Sequence, residues 1–423
     1  MIVCGTGRRS INPEPGHALA GYGAGYPNEG VHDDLTLTVL FLADGATRAA
    51  LACFDLIGMD ATLNLAVRAA IGEALDLPSA QVVVTCTHTH GGPEVRDYHP
   101  TSGTCDRARP AYNALLIARA REAAREAGEG AEPCELLWNR ASAAHNMNRR
   151  FVFPDRTFHY VPDRKQLAGL SDEHVDRELG LIAFRRAGSS NRYRALLTNY
   201  AMHPVCVGNA SNLCTADWPG ALRAVVEDTF AGCRCVATTG AMGDQHPLLP
   251  EAGFASARRV GGALGELAVA RAYDAVRVDD QALRLVRRQI ELPLRDAATR
   301  RLFPREAERA YVPDLAAGGA ATVRVEIALL GIGPVLLVGV PGELVAELGS
   351  FIKWCSPFLA TYVLYQATGN LGYIPAGNQH LWGGYEAVAN PFARRAGELL
   401  VRAVLDAADE LAAQRPLALP PIA

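Results

Sequence analysis

Two histidines two residues apart are the first groups in the chain that could do chemistry. They lie in Cys86-Thr87-His88-Thr89-His90-Gly91-Gly92-Pro93. Neutral imidazole is the commonest protein ligand for a transition metal and a general base near neutral pH. The preceding Gln81-Val82-Val83-Val84 reads as a buried strand, and side chains two residues apart on a strand point the same way. Gly91, Gly92 and Pro93 then force a turn and keep the backbone open. Alone, the pattern fits a metal site, a general base or a strand end with two partly exposed histidines.

Further blocks follow in a fixed order. They are Gly30-Val31-His32-Asp33-Asp34-Leu35 near the start, Asn199-Tyr200-Ala201-Met202-His203-Pro204, Pro341-Gly342-Glu343, and Gly372-Tyr373 with Tyr385-Glu386. With the histidine octet they resemble the neutral ceramidases, zinc amidases that carry a Thr-His-Thr-His-Ser-Gly-Pro segment. The resemblance runs from the N-terminus to just past Tyr385. It implies one Zn²⁺ held by His88, His203, Glu343 and Tyr373. It places His90 beside the reacting water, Tyr385 on the developing oxyanion, and Arg149 of Asn146-Met147-Asn148-Arg149 along the wall of the site. The implied reaction is metal-assisted hydrolysis of an amide. A tyrosine ligand relies on the metal's charge to ionise its phenol.

The elements that must position these groups are legible in outline. Leu35–Leu42 and Arg48–Leu56 read as strands around an Asp44-Gly45 hairpin turn. Ala61–Leu75, Ala111–Ala127, Ser256–Ala275 and Phe392–Leu411 have helical spacing. A helix from Trp218 to Phe230 takes Asp217 as its N-cap, and another runs from Glu343 to Ile352. Strands are expected at Gln81–Cys86, Cys134–Asn139, Gly180–Arg185, Arg194–Asn199, Cys235–Thr239, Val323–Leu330, Val335–Val340 and Tyr362–Tyr365. The alternation predicts an α/β fold of mixed β-sheets flanked by helices, a ceramidase-like catalytic domain spanning residues 1–423 as a single unit. His88, His203, Glu343 and Tyr373 each follow a strand end, where loops of α/β sheets converge on sites.

Composition narrows the function. The 423 residues are 49% hydrophobic and 20% charged, enough for a large core. A net charge of −4 gives no electrostatic footprint for nucleic acid. No apolar run is long enough to span a bilayer. The Met1–Gly7 segment lacks a charged and then apolar leader pattern, and the ten cysteines include no CxxC pair, so the expectation is a reduced, cytoplasmic protein with free thiols. Pro416–Pro421, after the last helix, leaves no room for the C-terminal immunoglobulin-like domain of full ceramidases. Gly21–Gly25 lacks the strand and lysine of a phosphate loop. No Gly-x-Ser-x-Gly elbow supports a serine hydrolase.

Between Tyr373 and Tyr385 the chain departs from the ceramidase pattern, with Pro375–Trp382 in place of paired glutamates and an Ala-Gln. Asn378–Gly384 is therefore expected to form part of the substrate wall, Trp382 giving apolar surface and Gln379 or His380 a polar contact. The expected substrate is a soluble, small-molecule N-acyl compound. The alternatives are N-acylsphingosine, acyl transfer or ester hydrolysis on the same site, and a metal-binding scaffold without catalysis. The sequence leaves the oligomeric state open.

Overall fold

Asp44 turns the chain back on itself. Its Oδ1 accepts from the amides of Ala46 and Thr47 at 2.8 and 2.6 Å. Strands Thr36–Ala43 and Arg48–Phe54 pair antiparallel across that turn, with Leu37 opposite Phe54. The computed structural model describes residues 1–21, 26–96, 109–152, 158–160, 174–249, 251–295 and 321–414. Most of the glycine-rich segment (22–25) and the proline-rich end (415–423) lie outside the described residues.

One large sheet is built from β1 (Ile2–Ser10), β2 (Thr36–Ala43), β3 (Arg48–Phe54), β4 (Val82–Cys86), β5 (Glu132–Ser142), β6 (Glu178–Arg186), β7 (Tyr193–Tyr200) and β8 (Arg234–Thr239). Their order is β8-β7-β6-β5-β1-β2-β3-β4, with Val276–Arg277 paired on β5. The pairs at both edges, β3–β4 and β7–β8, are parallel, and the others are antiparallel. Helix α1 (Ala61–Leu75) makes the first parallel crossover, capped by Asp60, which accepts from the Leu63 amide at 2.8 Å. After α2 (Arg109–Glu129), helix α3 (Asp217–Thr229) makes the second crossover.

The sheet is curled enough for its two edges to meet. The Cys53 thiol of β3 donates to the Ala237 carbonyl of β8 at 3.3 Å, and the Thr239 hydroxyl donates to the Cys86 carbonyl at 3.4 Å. This closure brings the loops after β4 and β7 to one place.

A second sheet, in the order β9 (Leu283–Pro293), β10 (Thr322–Ile332), β11 (Val335–Gly339) and β12 (Ala360–Leu364), packs into the concave side of the first. Period-two alternation sorts the core. Leu40 and Leu42 face the second sheet with Leu330, Leu337 and Leu364, whereas Leu37, Val39 and Phe41 face α1 and α2. α3 and α4 (Phe254–Tyr273) cover β6 and β7. Helices α5 (Ala346–Cys355) and α8 (Ala396–Gln414) cover the outer face of the second sheet, with the short α6 (Gly377–Trp382) and α7 (Tyr385–Val388) between them in sequence. The layers thus run helix, sheet, sheet, helix, as the mixed α/β expectation requires. Among the described residues no helix is long and apolar enough to cross a membrane, and no immunoglobulin-like domain accompanies these layers.

Several sequence expectations need correction. Glu343 does not open a helix. Glu343–Leu344 pairs parallel with Tyr373–Ile374, because the Glu343 amide donates to the Gly372 carbonyl at 2.8 Å, and α5 begins at Ala346. Asp217 is not an N-cap. It is the first residue of α3, and its carboxylate accepts from the amides of Cys206 and Val207 as well as Trp218. Strand β9 went unread because Arg284, Arg287 and Arg288 interrupt its apolar alternation. Arg284 is met by the nearby Asp280, whereas Arg287 and Arg288 find carboxylates only in three dimensions, on Glu326 and Glu410.

Candidate metal centre

β4 ends at Cys86, and the chain leaves it through a left-handed residue. His88 has φ +67°, a costly backbone for a residue with a Cβ. Two hydrogen bonds hold it there. Its amide donates to the Leu56 carbonyl at 2.9 Å, and its Nδ1–H donates to the Ile57 carbonyl at 2.5 Å. The second bond fixes the tautomer and leaves the Nε2 lone pair free to bind. His203 is held by the same device. Its amide and its Nδ1–H both donate to the Gln245 carbonyl, at 3.1 and 3.0 Å. The loop beyond it is clasped by Asp217.

The ring centroids of His88 and His203 are 5.0 Å apart, and those of His88 and His90 are also 5.0 Å apart. A ligand nitrogen from each of His88, His90 and His203 lies within 4.8 Å of the others, a group that could hold a metal ion. The two rings of the His-x-His pair do converge, through the left-handed turn at His88. Both His90 ring nitrogens are buried. Gly21, at φ +94°, packs on this ring so closely that a Cβ would sit 2.3 Å from its Nδ1. Gly21 opens the glycine-rich segment that lacks the strand and lysine of a phosphate loop. It shapes the wall behind His90 instead. Gly91 is required by a close approach too, since a Cβ there would meet Thr215 at 2.4 Å.

Glu343 comes from the short strand that follows β11 of the second sheet and pairs with Tyr373. Its Oε2 lies 3.7 Å from His88 Nε2 and 3.8 Å from His203 Nε2, too far for hydrogen bonds. His203 Nε2 is buried and has no hydrogen-bond partner. Two imidazole lone pairs and a carboxylate oxygen therefore face one another in a buried site. Acceptors so arranged repel unless a cation sits among them, which is the donor set zinc takes. Burial lowers the His88 pKa to about 4, against the pull of Glu343, so its ring is neutral at pH 7. Burial, with His88 and His203 adding to it, also holds His90 well below the ordinary histidine value. Burial opposes ionisation of Glu343, but the two facing imidazoles and a tyrosine hydroxyl outweigh it and hold the carboxyl below its usual range.

That hydroxyl belongs to Tyr365, which the sequence reading passed over as a strand end. It donates to Glu343 Oε2 at 2.6 Å. Tyr373 is joined to Glu343 through the backbone pairing, and its buried ring meets that of Tyr385 edge-on at 5.3 Å. The Arg149 guanidinium lies 5.4 Å from the Tyr373 ring centre and 5.6 Å from that of Tyr385. Arg149 is buried, and its Nε donates to Glu386 at 2.7 Å, a carboxylate shared with Arg150. Tyr385 is about half exposed, at the mouth of the site.

Behind this cluster, Asp244 accepts from the side chains of Asn148, Gln245 and Gln379 and from the Ala346 amide. It ties together the segments that carry Arg149, His203, Glu343 and Tyr385. Gln379 is consequently fully buried, its side chain bonded to the Ala376 amide and to Asp244, so that of Gln379 and His380 only the second is left for a polar wall contact. His380 Nδ1 is engaged by Arg295, and Trp382 closes α6 only partly buried.

No protein-family profile and no curated protein sequence matches the chain. Solved structures do. The neutral ceramidase from Pseudomonas aeruginosa superposes with a TM-score of 0.77 at 17% identity, covering 100% of this chain and 76% of that one. A ceramidase complexed with C2 gives 0.78 at 16% identity, with 100% and 77% covered. The chain therefore has the fold of the neutral ceramidases, over its whole length.

Proposed function

We propose that this protein is a zinc-dependent amide hydrolase acting on an N-acyl substrate. The observation that carries the reading is the pair of Nε2 lone pairs on His88 and His203, each fixed by an Nδ1–H bond, facing a buried carboxylate oxygen of Glu343. Tyr373 completes the proposed ligand set. Zinc there would polarise an amide carbonyl and ease deprotonation of a water. In this reading His90, its ring held neutral by burial, would take the water's proton and return it to the leaving amine. Tyr385 and Arg149 supply donors for the oxyanion, and Glu386 holds Arg149 in place.

A cavity of about 190 Å³ opens against His90, lined by Asn209, Ser211 and Asn212 on one side and by Leu19, Val207 and Leu213 on the other, which gives room for a small substrate with both polar and apolar parts. The fold likeness favours the second reading, an N-acylsphingosine. Metal analysis of the purified protein, followed by a panel of N-acyl amino acids, short N-acyl amines and ceramide read by mass spectrometry, separates them. The expected result is one zinc per chain and release of a free amine from a short polar amide. Far less than one zinc, with no turnover restored by adding it, defeats the hydrolase reading. Turnover of ceramide alone selects the second substrate.

A further inference from the structure

Tyr365 lies against Glu343, His88 and His203 of the proposed metal centre without belonging to the ligand set. Its hydroxyl donates to Glu343 Oε2, the oxygen that both imidazoles face. Its ring meets the His88 ring edge-on at 5.0 Å and stands 6.2 Å from that of His203. The ring is fully buried and packs on Ala201, two residues before His203, and on Met242. Its backbone is tied to both edges of the curled sheet. The Tyr365 amide donates to the Thr239 carbonyl of β8 at 3.3 Å, and the Thr85 hydroxyl of β4 donates to the Tyr365 carbonyl at 2.8 Å. The next residue, Gln366, has φ +47°, so the chain turns away at once and the ring stays anchored at the end of β12.

We propose that Tyr365 is a positioning residue that fixes the Glu343 carboxylate and the His88 ring in the geometry that receives the metal. A carboxylate oxygen has two lone pairs. The phenol O–H occupies one, and the other is left directed between the imidazoles. Short O–H···O⁻ bonds are among the stronger ones in proteins. Without this one, the Glu343 side chain regains rotamer freedom and the site must order it at the moment of metal binding. Partners of metal ligands commonly set affinity by a factor of about 10–100. The inference rests on the metal-site reading above, and concerns a residue that reading does not use.

The test is zinc affinity by competition with a chromophoric chelator, together with the visible spectrum of the cobalt-substituted protein, for wild type and Tyr365→Phe. Thermal unfolding of the metal-free proteins checks that the fold is kept. Tyr365→Phe should still bind one zinc, about 10–100-fold more weakly, with a shifted cobalt band. Thr85→Val releases the Tyr365 carbonyl but keeps the hydroxyl. It should weaken zinc in the same direction and by less, and it carries the test if the phenylalanine variant does not fold. Wild-type affinity in Tyr365→Phe overturns the positioning role. A folded Tyr365→Phe that binds no zinc overturns it too, by making the phenol a ligand. Wild-type protein that binds no zinc overturns the metal centre itself, a result distinct from both.

Discussion

His88, His90 and His203 sit within one small volume, yet their hydrogen bonding differs. His88 and His203 each spend Nδ1–H on a backbone carbonyl and present a bare Nε2. His88→Ala and His203→Ala should therefore each empty the site, as metal analysis of the purified variants will show. His90→Ala should keep the zinc while turnover falls, and loss of zinc in that variant would move His90 into the ligand set. Tyr385 is half exposed and lies against Arg149. Tyr385→Phe should leave the metal in place and lower kcat by about 10²–10³, the usual effect of removing one oxyanion donor. Full activity would remove Tyr385 from the mechanism. Loss of zinc would show that Tyr385, not Tyr373, is the ligand.

Each of these side chains works only because an element behind it is pinned. Asp55 follows β3 and accepts from the Thr87 hydroxyl, the Thr36 amide and both terminal nitrogens of Arg223 in α3, at 2.6 and 2.9 Å for the last two. Arg223→Ala would leave that carboxylate buried without its cation. It should cost about 3–5 kcal/mol in urea unfolding, and a loss under 1 kcal/mol would show that water replaces the guanidinium. The α6 segment was expected to wall the substrate. With Gln379 buried, the partly exposed Trp382 remains its candidate apolar surface. Trp382→Ala should reorder a substrate panel at normal zinc content, and an unchanged ranking removes α6 from the wall. Helix α1 and the β2–β3 hairpin were readable because their caps and turns lie within a few residues. Tyr365 was not, since nothing near it in sequence marks it. Its partners, Glu343, Thr239 and Thr85, are distant in the chain and meet it only after the sheet has curled. The Glu343 strand was misread for a similar reason, because Pro341-Gly342-Glu343 resembles a helix start and its true partner is Tyr373. The His88-x-His90 pair stands out by residue type and local spacing, but a metal role for it, and the choice of His203, come from the order of blocks shared with the neutral ceramidases.

At the scale of the whole molecule, the centre lies where the edges of one sheet and the last strand of the other come together. His88 and His203 belong to loops of the first sheet, Glu343 and Tyr365 to segments that follow β11 and β12 of the second. A bound ion would bridge the two layers and stabilise their docking. Saturating zinc at a thousandfold excess over its dissociation constant adds about 4 kcal/mol to a folded protein that binds it only when folded. Treatment with a chelator should accordingly lower Tm, and excess zinc should restore it. An unchanged Tm would mean that the layers hold without help from the centre. The same arrangement sets an order of events during synthesis. A ribosome that has released the first sheet has made both imidazoles but neither the carboxylate nor the phenol that steadies it. If the proposed centre holds a metal, its full set of groups comes together only once most of the chain has emerged and the second sheet has docked. A chain that stops before Glu343 would carry His88 and His203 without the carboxylate oxygen they face, and without the strands that complete the core behind Leu40 and Leu42.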